Sequence, residues 1–363
     1  MAERYLALSR RDQVEVLEQA RENTGRPTHL LEKDAWVVWA LGALFDSPLA
    51  ADLTFKGGTS LSKAYKIIDR FSEDIDLTYD IRKLIADLTR GDEFLPANRS
   101  QASRWTKAVR DRLPEWIATS VVPILEAALQ DARLDARLEL TGAERDTLLL
   151  HYPAVAQGTG YVSPVVTLEF GGRATGEPHQ VVPVTCEMDG QVEGVTFPSA
   201  SPLVMSVART FWEKATAAHV FCAQRRIRGE RFARHWHDLA AIARNPRFSA
   251  VIEDRVVARA VAEHKSRFFS EKDAEGKTID YFAATEGALH LVPEDAARDA
   301  LAADYARMLE DQLMVGDALA FDTLMQACAE LERRANSAFD PASMPSTVPG
   351  AHAPSSARRN TPA

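Results

Sequence analysis

Hydrophobic positions along the chain follow two rhythms, a helical spacing over most of its length and a period of two in two short regions. From Leu6 to Thr24 charged and apolar residues mix as in a helix, and Gly25-Arg26-Pro27 interrupts them. Thr28 is placed to cap a second helix running through LLEKDAWVVWALGALF, in which Trp36, Trp39 and Leu44 read as core. Leu53 and Phe55 then lead into a Gly57-Gly58 turn. Leu61, Ala64, Tyr65 and Ile68 recur at the spacing of an amphipathic helix, which predicts a helix over 59–70. The period changes to two where Asp74 and Asp76 alternate with Ile75 and Leu77, predicting a short strand with both carboxylates on one face.

Residues 82–135 predict a helical insertion with breaks near Pro96 and Pro114, carrying a basic stripe of Arg104, Lys107, Arg110 and Arg112 that reads as a solvated face. β character returns over 161–198, where Val165, Thr167 and Glu169 share one face and Val166, Leu168 and Phe170 the other. The stretch GGRATGEPHQ reads as a loop and Gly190 as a turn. From Leu203 onward the spacing is helical: 203–228, 230–244, 249–269, and two helices between Glu294 and Ala335. The stretch 339–363, with Pro341, Pro345, Pro349, Pro354 and Pro362 among small polar residues, reads as a disordered tail.

Composition changes this picture only at a few points. With 363 residues there is room for two domains. No long apolar run or secretory pattern occurs, which predicts a cytoplasmic protein with no membrane association. Cys186, Cys222 and Cys328 are far apart and odd in number, and suggest neither a disulfide framework nor a zinc site. A net charge of -9 opposes nonspecific coating of nucleic acid, and no stable DNA binding is expected. Against that background, residues 209–234 hold seven Lys/Arg and two Glu, an excess expected of a surface that meets phosphates.

The densest chemistry lies in FKGGTSLSKAYKIIDRFSEDIDLTY, residues 55–79. Paired glycines let backbone approach a ligand closely. A helix starting there favours a phosphate, with Thr59 and Ser60 adding hydroxyl donors. Side-by-side carboxylates at Asp74 and Asp76 repel, and a hard divalent cation such as Mg²⁺, which takes carboxylates together with substrate phosphates, relieves that repulsion.

A Gly-Gly-Thr/Ser turn, a helix and Asp-x-Asp on the next strand resembles the nucleotidyltransferase superfamily of polymerase beta, and FKGGTSLSKAY with RFSEDIDL resembles the AbiEii/AbiGii toxins. FWEKA and the later R-x-x-RHxxDL are similar to that family's later motifs. The resemblance implies an α+β fold, a polymerase beta-like mixed sheet with flanking helices over residues 1–200 and a mostly α-helical domain over 201–338. It implies transfer of a nucleoside monophosphate from an NTP to an RNA acceptor, the 3′ end of tRNA, and a neutralising antitoxin as partner. Mg²⁺ or Mn²⁺ would sit on Asp74 and Asp76 with Glu169 as the third carboxylate, Glu187 being its rival. The nucleotide would bind on Gly57, Gly58, Thr59 and Ser60. Lys214 matches the family's active-site lysine and Asp238 its late aspartate, which would orient Lys214 or another basic residue, or position a substrate hydroxyl. Arg173 would hold phosphate or finish a hairpin, and His235 and His237 read as packing or RNA-contact residues. Glu32, Lys33 and Asp34 also resemble the family and read as capping or ion-pairing residues.

Two other functions fit fewer residues. Arg231 and His237 have the spacing of a metal-independent HEPN-type ribonuclease, which leaves the glycines and aspartates without a role. A noncatalytic protein could keep the same fold to hold a nucleotide or an antitoxin.

Overall fold

The structure, a computed structural model, describes residues 2–339 except 73, 91–92, 159–162, 227–230, 311–313 and 315–317; the expected tail beyond 339 lies outside the described residues. The helices are α1 (Arg10–Thr24), α2 (Thr28–Phe45), α3 (Gly57–Lys63), α4 (Ile81–Leu84), α5 (Arg99–Trp116), α6 (Val122–Ala132), α7 (Val207–Ala223), α8 (Ala233–Arg244), α9 (Arg255–Phe268), α10 (Tyr281–Thr285), α11 (Asp295–Glu310) and α12 (Phe321–Ser337). The strands are β1 (Glu3–Arg4), β2 (Leu53–Lys56), β3 (Asp74–Tyr79), β4 (Arg137–Thr141), β5 (Thr147–His151), β6 (Val165–Gly171), β7 (His179–Val181), β8 (Val184–Thr185), β9 (Val195–Thr196), β10 (Ser199–Ala200) and β11 (Leu203–Met205). No described helix is long and apolar enough to cross a membrane.

The mixed sheet and flanking helices are the expected α+β arrangement. Seven strands pair in the order β4-β5-β6-β3-β2-β11-β7, with β3 parallel to β6, β11 parallel to β2, and the other pairs antiparallel. Strand alternation assigns the faces. Phe55, Ile75, Leu77, Val166, Leu168 and Phe170 are buried on one side, in one core with Val37, Val38 and Leu41 of α2. The other side carries Lys56, Asp74, Asp76, Thr78 and Glu169, and residues of α7 and α9 close over part of it.

Several elements differ from the reading of the sequence. The helix after the glycines is Gly57–Lys63, not 59–70: Lys66 turns left-handed, and Ile67 N–H donates back to the Leu61 carbonyl. Tyr65, Ile67 and Ile68 are buried from an irregular segment, so their spacing reflects packing and not a helix. Pro27, not Thr28, is the N-cap of α2, its carbonyl accepting from Leu30 and Leu31 N–H. Helix α5 runs through Pro114, and the irregularity follows as a π turn over Ile117–Val121. The β4–β5 hairpin was not anticipated, although Leu138, Leu140, Leu148 and Leu150 alternate in its strands. Leu203–Met205 is a strand, not the start of a helix, because its backbone pairs with β2 and β7 inside the sheet.

The acidic and basic residues of α2 hold the fold together. Glu32 accepts the backbone N–H groups of Val155 and Ala156 at 2.7 and 3.0 Å, and Lys33 Nζ donates to the Ser163 carbonyl at 3.2 Å. Asp34 pairs with Lys63 of α3, which also meets Glu187 at 3.2 Å. Burial pushes the Asp34 carboxyl up and Lys63 pulls it back. Lys63→Met therefore leaves an acid able to neutralise itself by taking a proton, and is expected to cost about 2 kcal/mol, less than a stranded charge would. Urea unfolding of the variant checks this; an unchanged midpoint would show that the pair adds nothing.

Candidate active site

The site is built where β2 ends, β3 begins and β6 lies alongside. Asp76 stands opposite Lys56 on one side and Glu169 on the other, and Asp74 opposite Thr167. Residues two apart share a face, so Asp74, Asp76 and Glu169 occupy one patch of the sheet. Burial raises the Asp76 carboxyl despite Lys56, Lys214 and Arg70 nearby. Glu169, which is exposed at its strand position, is pushed up to about 7, by loss of hydration on the side facing the protein first and then by Asp76, Asp74 and Asp146. Like charges are thus gathered without full compensation. Glu187 is committed elsewhere, to Arg26 at 2.7 Å and to Lys63.

Hard oxygen donors on adjacent strands with excess negative charge are a donor set suited to a divalent cation. Among the described residues, no three His, Cys, Asp or Glu side chains already converge as a ready cation cage.

The glycine turn is shaped by the protein's own side chains. Gly57 has a φ of 77°, and a Cβ there would collide with the Asp76 carboxylate; one at Gly58 would collide with the Arg70 guanidinium. Thr59 and Ser60 are fully buried and their hydroxyls are used internally. Thr59 Oγ1 donates to the Asp74 carbonyl at 2.5 Å and meets Ser72 Oγ at 2.9 Å, while Ser60 Oγ donates to the Gly57 carbonyl at 2.9 Å. The two hydroxyls expected to face a phosphate are instead spent inside the fold, that of Thr59 on β3 and that of Ser60 within the turn. Gly57→Ala is expected to cost about 1–2 kcal/mol in left-handed strain alone and to displace Asp76, lowering activity more than stability. Parallel denaturation and turnover measurements check this; a stability loss with full activity would show that Asp76 tolerates the shift.

A second group joins distant segments. Asp238 of α8 is fully buried and accepts from Arg70 Nε and Nη2, both at 2.8 Å. Lys214 Nζ lies 3.0 Å from Asp238 Oδ2, the oxygen that Arg70 Nη2 also reaches, and His237 Nδ1 3.2 Å from Oδ1. Burial opposes the charged carboxylate, but Arg70, Lys214 and His237 hold it well below the usual range. Arg70 Nη1 is buried without an acceptor among the described residues, while its neighbour Nη2 is the atom that a Cβ on Gly58 would strike. Reading the sequence singled out Lys214 and Asp238 but not Arg70, whose only signal is its place at the head of RFSEDIDL.

The remaining candidates are placed as follows. Arg231 precedes α8, its backbone N–H bound to Asp304 at 2.8 Å, while His237 sits within α8 beside Asp238. His235 packs near Phe221 and Phe232, and burial pulls its imidazole down to about 3. Lys107, Arg110 and Arg112 of the basic stripe pair with Asp111, Glu144 and Asp87 on the surface. Part of the 209–234 run lies outside the described residues.

Glu213 of α7 borders the site and pairs with Arg209 at 3.0 Å. Burial pushes its carboxyl up, but Arg209, Lys56 and Lys265 outweigh it and bring it down to about 2. A depressed carboxyl stabilises the fold fully above its unfolded value near 4.5 and loses that contribution as pH falls toward 2. We expect about 3 kcal/mol to disappear across this window and Glu213→Gln to flatten it. Urea unfolding at pH 5 and pH 3 makes the test, and identical pH slopes would refute the assignment.

A family model described as nucleotidyl transferase AbiEii toxin, type IV TA system, matches residues 39–327. No curated protein matches. Among solved structures, the chain is similar to MenT4, a nucleotidyltransferase toxin from Mycobacterium tuberculosis H37Rv, with 17% identity over 92% of this chain and 98% of that one and a TM-score of 0.38. It is also similar to JHP933 from Helicobacter pylori, with 14% identity over 85% of this chain and 92% of that one and a TM-score of 0.38.

Proposed function

The chain belongs to the AbiEii family of nucleotidyltransferase toxins of type IV toxin–antitoxin systems, and from that premise we propose that it moves a nucleoside monophosphate from an NTP to the 3′ end of an RNA, tRNA by family resemblance. Membership of a toxin–antitoxin family implies a cognate antitoxin. The observation that carries the proposal is the row Lys56, Asp76, Glu169 across three adjacent strands, with Asp74 on the same face and the Gly57 turn packed beneath Asp76.

Asp74, Asp76 and Glu169 would hold Mg²⁺ or Mn²⁺, which when bound supplies charge for the phosphates and the attacking hydroxyl. The chain's own residues do the rest. Gly57 and Gly58 let the triphosphate approach backbone, and Arg70, whose guanidinium packs against Gly58, keeps a buried Nη1 with no acceptor among the described residues. Lys214 offers a cation to charge growing on the transferred phosphoryl, and Asp238 fixes its direction. Pyrophosphate leaves on the glycine side. In this reading the sheet and its N-terminal helices carry the nucleotide chemistry together with Lys214 of α7 and Asp238 of α8, and the other helices of 201–338 shape the acceptor channel.

The test is incubation of the purified chain with Mg²⁺, each of the four α-labelled NTPs and total tRNA. Label entering RNA identifies the nucleotide and the acceptor together. RNA cleavage without label transfer, equal in an Asp74→Ala, Asp76→Ala variant, would overturn the proposal.

A further inference from the structure

Beside the carboxylate row the same face of the sheet opens into a cavity of about 210 Å³. One step along the strands from Asp76 and Glu169, its floor is Thr78 and Gly171, and its walls include Lys56, Arg173, Glu213 and Lys265. That step takes two residues, about 6.6 Å of strand. Because β2 runs antiparallel to β3, the step from Asp76 to Thr78 corresponds to going from Lys56 back to Thr54, away from the glycine turn. The cavity and the turn therefore flank the carboxylates on opposite sides.

Three cations and one carboxylate line this space, and the carboxylate is already paired with Arg209. Lys56 makes no ion pair within 4 Å among the described residues. Among the described residues Lys265 Nζ donates to the Glu213 carbonyl alone, at 3.1 Å, and burial pulls its ammonium down to about 8 against the pull of Glu213. The Arg173 guanidinium lies over the Phe269 ring, 4.4 Å from its centre, a cation–π contact. Gly171 leaves the floor open, since a Cβ there would meet only the Leu77 carbonyl, at 3.8 Å. Such a space suits an anion that arrives with its own negative charge.

We propose that this cavity holds a backbone phosphate of the single-stranded RNA acceptor next to its reacting end, gripped by Arg173 and Lys265. The assignment rests on the reading of the chain as a nucleotidyltransferase acting on RNA. It follows from side: the triphosphate takes the glycine side of the carboxylates, so the strand supplying the hydroxyl enters from the other.

The test measures binding separately from turnover. A short 5′-labelled single-stranded RNA is titrated with the full chain by fluorescence anisotropy, without NTP, at several salt concentrations, for the unmodified protein and for Arg173→Gln, Lys265→Met and Gly171→Leu. The two charge variants should bind about tenfold more weakly or worse, and each should lose about 0.7 from the salt slope. Gly171→Leu keeps every charge, fills the cavity and should weaken binding as well. In turnover assays the KM for RNA should rise while the KM for NTP stays within twofold. Thermal unfolding identifies any variant that has lost its fold, and Gly171→Leu, which alters no ion pair, then decides. Unchanged RNA binding in folded variants, no RNA binding by the unmodified chain, or a raised KM for NTP instead would each overturn the proposal. RNA binding that depends on the cavity but is accompanied by no label transfer would leave this subsite standing and remove the transferase reading.

Discussion

Asp76→Asn protein is expected to transfer label from NTP to RNA at least ~10³-fold more slowly than the unmodified chain, with no loss of stability. Asp76 stands at the centre of the row formed with Lys56 and Glu169, and its carboxylate overlies Gly57. Exchange for the amide removes the charge that a divalent cation requires and keeps the side chain's volume. Loss of several kcal/mol of charge stabilisation at the reacting phosphate corresponds to about three orders of magnitude in rate. Stability moves the other way: burial raises the Asp76 carboxyl and Glu213 and Glu169 repel it, so a neutral amide should fold at least as well. Label transfer and urea denaturation on the same preparation check both halves. Activity within tenfold of the unmodified chain would remove Asp76 from the centre of the chemistry.

Asp238→Ala is expected to fail for a different reason. It strands the buried Arg70 guanidinium, which cannot shed its proton, and the Lys214 ammonium, at about 3–5 kcal/mol. This exceeds the cost at Lys63, where the partner left behind is a carboxyl that burial already inclines toward neutrality. Activity should fall as well, since Lys214 loses its orientation and Arg70 its hold beside Gly58. Lys214→Met provides the separation: it leaves Asp238 paired with Arg70, so stability should fall by much less while transfer is lost. Equal destabilisation by Asp238→Ala and Lys214→Met would mean that the Arg70 pair carries none of the fold's stability.

Local chemistry was legible where a few consecutive residues decide it. The alternation of Asp74, Ile75, Asp76 and Leu77 places two carboxylates on one face whatever surrounds them, because a strand's period is two. Gly25 and Gly57 announced turns, and both have positive φ. The alternation in VVTLEF likewise separated Glu169 from the buried Val166, Leu168 and Phe170. The same logic misjudged Tyr65 and Ile68, where spacing that suits a helix serves an irregular segment buried between other elements. It also missed Leu203–Met205, since three apolar residues before a helix carry no period of their own.

By itself, then, the sequence determined the elements that carry charge and the family to which the chain belongs, because these depend on neighbours within a turn or a strand. Only the tertiary structure decided which charges meet. Arg70 reaches Asp238 across 168 positions, Glu169 stands beside Asp76 rather than Asp74, Glu187 is drawn off to Arg26, and Thr59 and Ser60 spend their hydroxyls inside the fold. Such pairings follow from strand register and from the need of each buried polar group for a partner, and the order of residues along the chain encodes neither locally.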